Sequence, residues 1–232
     1  SALALAACGG ADQPADNVAA NAMTADPSNP FPQSEMAMDQ AMMAAVGVNS
    51  ADSWVRKMIE HHRGAVEMSR TVLTQNPTAE VAQMAQITID KQRKEITDLE
   101  KLVATGNPNP ASAELYRPAA MQMHDAMMAA TGATVSETYL RKMLAHHQGA
   151  IAMSDVALGN GATGAVRAQI EKTKADQQKE VAMVEAMLRG EPMPSAASTA
   201  PAPAAKTAAP PAAKTAAPAE RAATKPTPTP TT

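Results

Sequence analysis

The sequence predicts an all-α fold, a four-helix bundle made of two helical hairpins related by internal duplication. Three observations predict it. The chain is 45% hydrophobic but only 2% aromatic, and it carries 17 methionines among many alanines. Apolar residues recur at the helical period, and no strand-like alternation competes with them. An offset of 85 residues aligns 36–75 with 121–160. Met36, Met38, Met42, Met43, Gly47, Met58, His61, His62 and Met68 then fall on Met121, Met123, Met127, Met128, Gly132, Met143, His146, His147 and Met153. The match resumes where Gln92, Lys94, Glu95 and Glu100 meet Gln177, Lys179, Glu180 and Glu185. Two copies with one shared period predict one domain with a pseudo-two-fold axis.

Each copy contains three helical pieces. The first is short and Met-rich, at 34–46 and 118–130. Pro118 suits a first turn, and Gly47 and Gly132 suit the stop. The second, at 51–75 and 136–159, carries the histidines, with Ser136 as a candidate N-cap. The third spans 78–105 and 163–189. Asn76-Pro77-Thr78 opens its first copy, and Gly106 and Gly190 close the two copies. Short connections make the second and third pieces antiparallel neighbours. The repeats are therefore 34–106 and 118–190 within a domain of 34–190.

The ends read differently. Residues 1–8 form a short apolar run of small residues closing on Cys8. Leu5-Ala6-Ala7-Cys8 resembles a lipobox at the end of a bacterial lipoprotein signal peptide, which implies lipidation at Cys8. The run is too short for a transmembrane helix. Gly9, rather than an acidic residue, follows Cys8 and points towards the outer membrane. Residues 9–33 read as a flexible linker. Residues 191–232 are rich in Pro, Ala, Thr and Lys, and contain Ala-Ala-Lys-Thr-Ala-Ala-Pro twice. They bury too little apolar surface to offset ordering entropy and are expected to be disordered.

Charge and cysteine content exclude several classes. The formal net charge is −3, which speaks against nucleic-acid binding. A single Cys excludes a disulfide framework and a multi-Cys zinc site.

The informative stretches are Met58-Ile59-Glu60-His61-His62-Arg63-Gly64-Ala65-Val66-Glu67-Met68 and its echo, Met143 to Met153. They hold four of the five histidines. With Met58 as reference, His61 lies at about −60°, His62 at about +40°, Ala65 at about −20° and Met68 at about −80°. One helix stripe thus offers imidazole and thioether together. Adjacent histidines about 100° apart do not address one atom in the same way. Gly64-Ala65 and Gly149-Ala150 leave room for another helix to approach. The short helices supply further candidates, Met123, His124 and Met127. Asp39 stands at the counterpart of His124, so the halves differ there. Thioether is soft and imidazole borderline, a mixture that favours Cu(I), and by extension Ag(I), over hard ions. Thioether also survives an oxidising compartment, where a lipobox would place the domain. Gln92, Glu95, Gln177 and Glu180 could orient a histidine or form a solvated face.

The repeated Met-x-x-His-His-x-Gly-Ala-x-x-Met resembles the DUF305 family, which includes CopM-like periplasmic copper-binding proteins, over about residues 34–190. The resemblance implies a ferritin-like helical bundle and copper tolerance through His and Met side chains. By position it carries to Met58, His61, His62, Met68, Met143, His146, His147 and Met153. The leading expectation is a non-enzymatic, lipid-anchored copper buffer, scavenger or chaperone of the envelope, with a copper-transfer partner protein. A structural or interaction module with buried histidines is the alternative. An enzyme fits less well: Glu-x-x-His occurs at none of the five histidines, and His-Glu-x-x-His is absent.

Overall fold

The computed structural model describes residues 28–193. Cys8, residues 9–27 of the expected linker and residues 194–232 of the expected tail lie outside the described residues. Within them the chain forms seven helices and no strand. These are α1 (Pro32–Ala44), α2 (Ser50–Leu73), α3 (Ala79–Glu100), α4 (Pro110–Glu114), α5 (Arg117–Ala129), α6 (Val135–Gly159) and α7 (Gly164–Leu188). Helices α2 and α3 form one hairpin, α6 and α7 the other, and α2 packs on α6 between them. Each short helix, α1 or α5, lies on the long helix that follows it. The result is the duplicated helical bundle expected from the repeat.

Reciprocal contacts express the duplication. The Trp54 indole N–H donates to Ser154 Oγ at 3.3 Å, and Tyr139 Oη lies 2.7 Å from Ser69 Oγ. These are the same two positions with the halves exchanged. Lys57 Nζ donates to the Met42 carbonyl at 2.7 Å, and Lys142 Nζ to that of Met127 at 2.8 Å. A contact and its mate across an axis are the signature of an isologous interface, here within one chain.

Local signals explain the helix starts. Asn49 caps α2 by accepting from Asp52 N, and Thr134 caps α6 by accepting from Glu137 N. Asp52 and Glu137 reach back to Val48 N and Ala133 N, both at 2.9 Å. Side chains thus satisfy one N–H inside each first turn and one just before it. Thr78 caps α3 as the sequence suggested, accepting from Val81 N.

Several details differ from expectation. Ser136 is inside α6; its hydroxyl accepts from Thr78 N at 2.9 Å and ties the two hairpins together. Gly47 and Gly132 are not helix stops, since α1 and α5 end earlier, with Ala45 and Ala130 as extended caps. Glycine is needed there for close approach. A Cβ on Gly47 would lie 2.2 Å from Ser53 N, and one on Gly132 2.6 Å from the Glu137 Cβ. Phe31, in the stretch expected to be linker, is wholly buried and faces Tyr139 at 6.0 Å between ring centroids. Helix α4 had no counterpart in the sequence reading.

Candidate functional site

Helices α2 and α6 cross with their His-His pairs facing each other. His61, His62, His146 and His147 are all buried, none more than 1% exposed. Met58, Met68, Met143 and Met153 are fully buried on the same two helices. Two surface clefts of about 550 and 410 Å³ open elsewhere, and no histidine lines either. The four histidines therefore lie among core side chains, away from either cleft.

The axis passes between His61 and His146. Their rings stack, with centroids 3.5 Å apart and planes 19° off parallel. Within each pair the rings stand edge-on, at 5.7 Å for His61–His62 and 5.8 Å for His146–His147. This agrees with the angular separation expected from the helix. His61 Nε2 donates to the His146 carbonyl at 3.1 Å, which leaves the lone pair on Nδ1.

The outer members face the third helix of each hairpin. His147 Nδ1 donates to Gln177 Oε1 at 2.6 Å and lies 3.4 Å from Glu180 Oε2, leaving the lone pair on Nε2. His62 Nε2 lies 3.2 Å from Glu95 Oε2, outside hydrogen-bond alignment. Gln92, Glu95 and Gln177 are buried and Glu180 nearly so. These four residues are not a solvated face. They are the polar backing of the outer histidines, and the ring orientations differ between the halves.

Burial pushes His61 and His146 well below the ordinary imidazole range, with neighbouring histidines adding to it. Burial also lowers His147, against the opposing pull of Glu180 and Gln177. Three imidazoles are thus neutral at neutral pH, the form that offers a lone pair. Burial raises the Glu95 carboxyl, but His62, Lys172 and Lys91 together outweigh it and leave the pKa lowered.

Six imidazole nitrogens lack a hydrogen-bond partner: His61 Nδ1, both of His62, both of His146 and His147 Nε2. So do both amide atoms of Gln92 and both oxygens of Glu95. Each such atom costs about 1–3 kcal/mol if left alone. Buried polar atoms of this kind are met by ordered water or by an ion. Among the described residues, no three His, Cys, Asp or Glu side chains gather around a single point. Stacked rings direct their in-plane lone pairs side by side, so any shared ligand set must draw on methionine sulfur.

The short helices divide their candidates. Met123 and Met127 are buried, while His124 is 43% exposed by its side chain. A Cβ on Gly149 would lie 2.4 Å from Met123 Sδ, so Met123 fills the space that Gly149 leaves. Met38 does the same over Gly64. His124 instead meets Asp39, its own counterpart in the duplication. Met123, His124 and Met127 thus do not share one face of α5, and Asp39 is a partner that sequence reasoning treated only as a substitution.

The family model described as "Domain of unknown function (DUF305)" matches residues 5–103 and again residues 105–226. The chain belongs to the DUF305 family. The two matches fall one on each half of the DUF305 repeat, in keeping with the duplicated helices. No curated protein and no solved structure matches this DUF305 chain.

Proposed function

We propose that this DUF305 protein is a copper-binding protein of the bacterial cell envelope that buffers, scavenges or hands on Cu(I), with Ag(I) as a second guest. One observation carries the proposal: neutral, unpartnered imidazole nitrogens lie buried on the helix stripes that also hold four buried methionines. The residues present fit a soft ion. His61, His62, His146 and His147 supply nitrogen; Met58, Met68, Met143 and Met153 supply thioether sulfur. A bound ion would satisfy ring nitrogens that otherwise remain orphaned. Gln177 fixes the His147 tautomer, as a carbonyl behind a ligating imidazole does. Lipidation of Cys8 would hold the domain at the membrane, and exchange with a transfer partner would complete its role. No helix among the described residues is long and apolar enough to cross a membrane.

The test is Cu(I) competition against a chromophoric chelator with the full chain. The wild type is expected to take copper. A variant with all four motif histidines replaced, and one with Met58, Met68, Met143 and Met153 all changed to leucine, are expected to lose it. The leucine set keeps volume and apolarity, so it separates ligand loss from unfolding. Wild-type protein that takes no copper sinks the proposal.

A second reading is a structural or interaction bundle whose histidines are core. The face-to-face stack of His61 and His146 favours it, because that arrangement binds ring to ring without an ion. Variants lacking the four histidines would then lose stability while metal content stayed unchanged.

A further inference from the structure

We infer that the outward face of α1 and α5 is a separate surface site for a soft monovalent cation, Cu(I) or Ag(I), centred on His124. The site is independent of the buried-chamber proposal, and either can fail alone.

Among the described residues, four of the six exposed large apolar side chains are methionines of these two helices. Met36 is 55% exposed, Met43 75%, Met121 57% and Met128 48%. Their spacing is regular. Met36 and Met43 flank Asp39 at −3 and +4, and Met121 and Met128 flank His124 at −3 and +4. Residues so spaced share one helix face. The same helices bury Met38, Met42, Met123 and Met127 on their inner faces, so packing already has its methionines. Four more in solvent gain nothing from burial, but they leave thioether sulfur accessible.

The centre of the face is chemically prepared. Asp39 Oδ2 contacts His124 Nδ1 across the axis, where α1 and α5 meet. A carboxylate on Nδ1 holds that nitrogen as the donor and leaves the Nε2 lone pair for a ligand. Ligating histidines are commonly backed in this way. With the carboxylate engaged, the remaining donors are one imidazole and up to four thioethers, a neutral and soft set. There is one His124 per chain, so the face takes one such ion.

The experiment titrates Ag(I) into the full chain labelled with methyl-13C methionine and follows each methyl resonance. Signals of Met36, Met43, Met121 and Met128 are expected to move together with the His124 ring, saturating near one ion. His124→Gln, and a variant with those four methionines changed to leucine, should each weaken this event at least about tenfold; Asp39→Asn should weaken it about tenfold and change the His124 tautomer seen by 15N. All these positions are solvent-accessible, and helical circular dichroism will confirm that the variants remain folded. Shifts at Met58, Met68, Met143 and Met153 report the buried chamber independently. Outer methyls that stay still up to two equivalents of Ag(I) would overturn the inference. So would unchanged affinity in either the His124 or the leucine variant.

Discussion

Replacing Gly64 by alanine tests how the short helices are seated. The added Cβ would stand 2.4 Å from Met38 Sδ, 2.5 Å from its Cγ and 2.8 Å from its Cβ. A new rotamer at Met38 can move the sulfur and Cγ but not the Cβ, which is fixed to α1. Helix α1 must therefore back away from α2. Its other anchors, Phe31, Glu35 and Met42, are buried and would be pulled with it. Overpacking of this kind costs about 1–3 kcal/mol. Partial exposure of Met38 adds about 1 kcal/mol, a fraction of its full burial. Better helix propensity of alanine returns about 1 kcal/mol. The expected net loss is about 1–3 kcal/mol, and Tm should fall about 2–4 °C for each kcal/mol in a domain of this size. Urea and thermal unfolding followed by the single tryptophan, Trp54, will read it. Gly159→Ala is the control, because a Cβ there meets nothing within 4 Å. Met38→Ala placed on Gly64→Ala should cost less than Met38→Ala alone, since the two changes share one contact. A Gly64→Ala protein as stable as wild type would refute the seating argument.

Two further outcomes follow from buried charge. His61, His146 and His147 have pKa values below the ordinary 6.5, so the unfolded chain takes up protons first as pH falls. Stability should be full above about pH 6.5 and decline below it, with a limiting slope of about 1.4 kcal/mol per pH unit for each histidine. The Glu35 carboxyl, raised by burial, acts in the opposite sense at lower pH and only blunts the decline. Urea midpoints that stay level from pH 7.5 to 5.5 would contradict this. Glu35→Gln removes the carboxylate that Lys142 Nζ meets at 2.7 Å, both side chains being almost fully buried. A loss near 3 kcal/mol is expected, the low end for breaking a buried pair, because Lys142 keeps the Met127 carbonyl. Denaturation showing less than about 1 kcal/mol would mean the pair contributes little.

The repeat, the helices and the buried stripe were legible because all three are periodic. Burial of Met58, His61, His62 and Met68 follows from angles on one helix. Helix α4 was not legible: five residues carry no period, and Pro110 alone does not announce a turn. Thr134, not Ser136, caps α6, and two capping residues two positions apart cannot be ranked without the backbone. The room left by Gly64 was read from the sequence and α1 fills it through Met38, whereas the role of Gly47 depends on how closely the start of α2 passes it, which composition does not encode. Separation of Met121 from Met123 was within reach, since positions two apart stand about 200° round a helix and fall on opposite faces. The contact between Asp39 and His124 was also within reach in principle. A position close to the axis meets its own counterpart, so the offset that aligned them also predicted their meeting.

Two identical subunits placed around a true two-fold axis must present the same side chain from both sides wherever the axis is crossed. There, an acid would face an acid and an imidazole an imidazole. Fusing the halves into one polypeptide lifts that restriction. On the axis Asp39 can then answer His124, and away from it Glu35 can answer Lys142 without a mate, since Ala120 leaves Lys57 with the Met42 carbonyl and more distant charge. The peptide link between the halves thus adds chemistry as well as stability: it permits complementary partners on an axis where symmetry alone would allow only self-pairs.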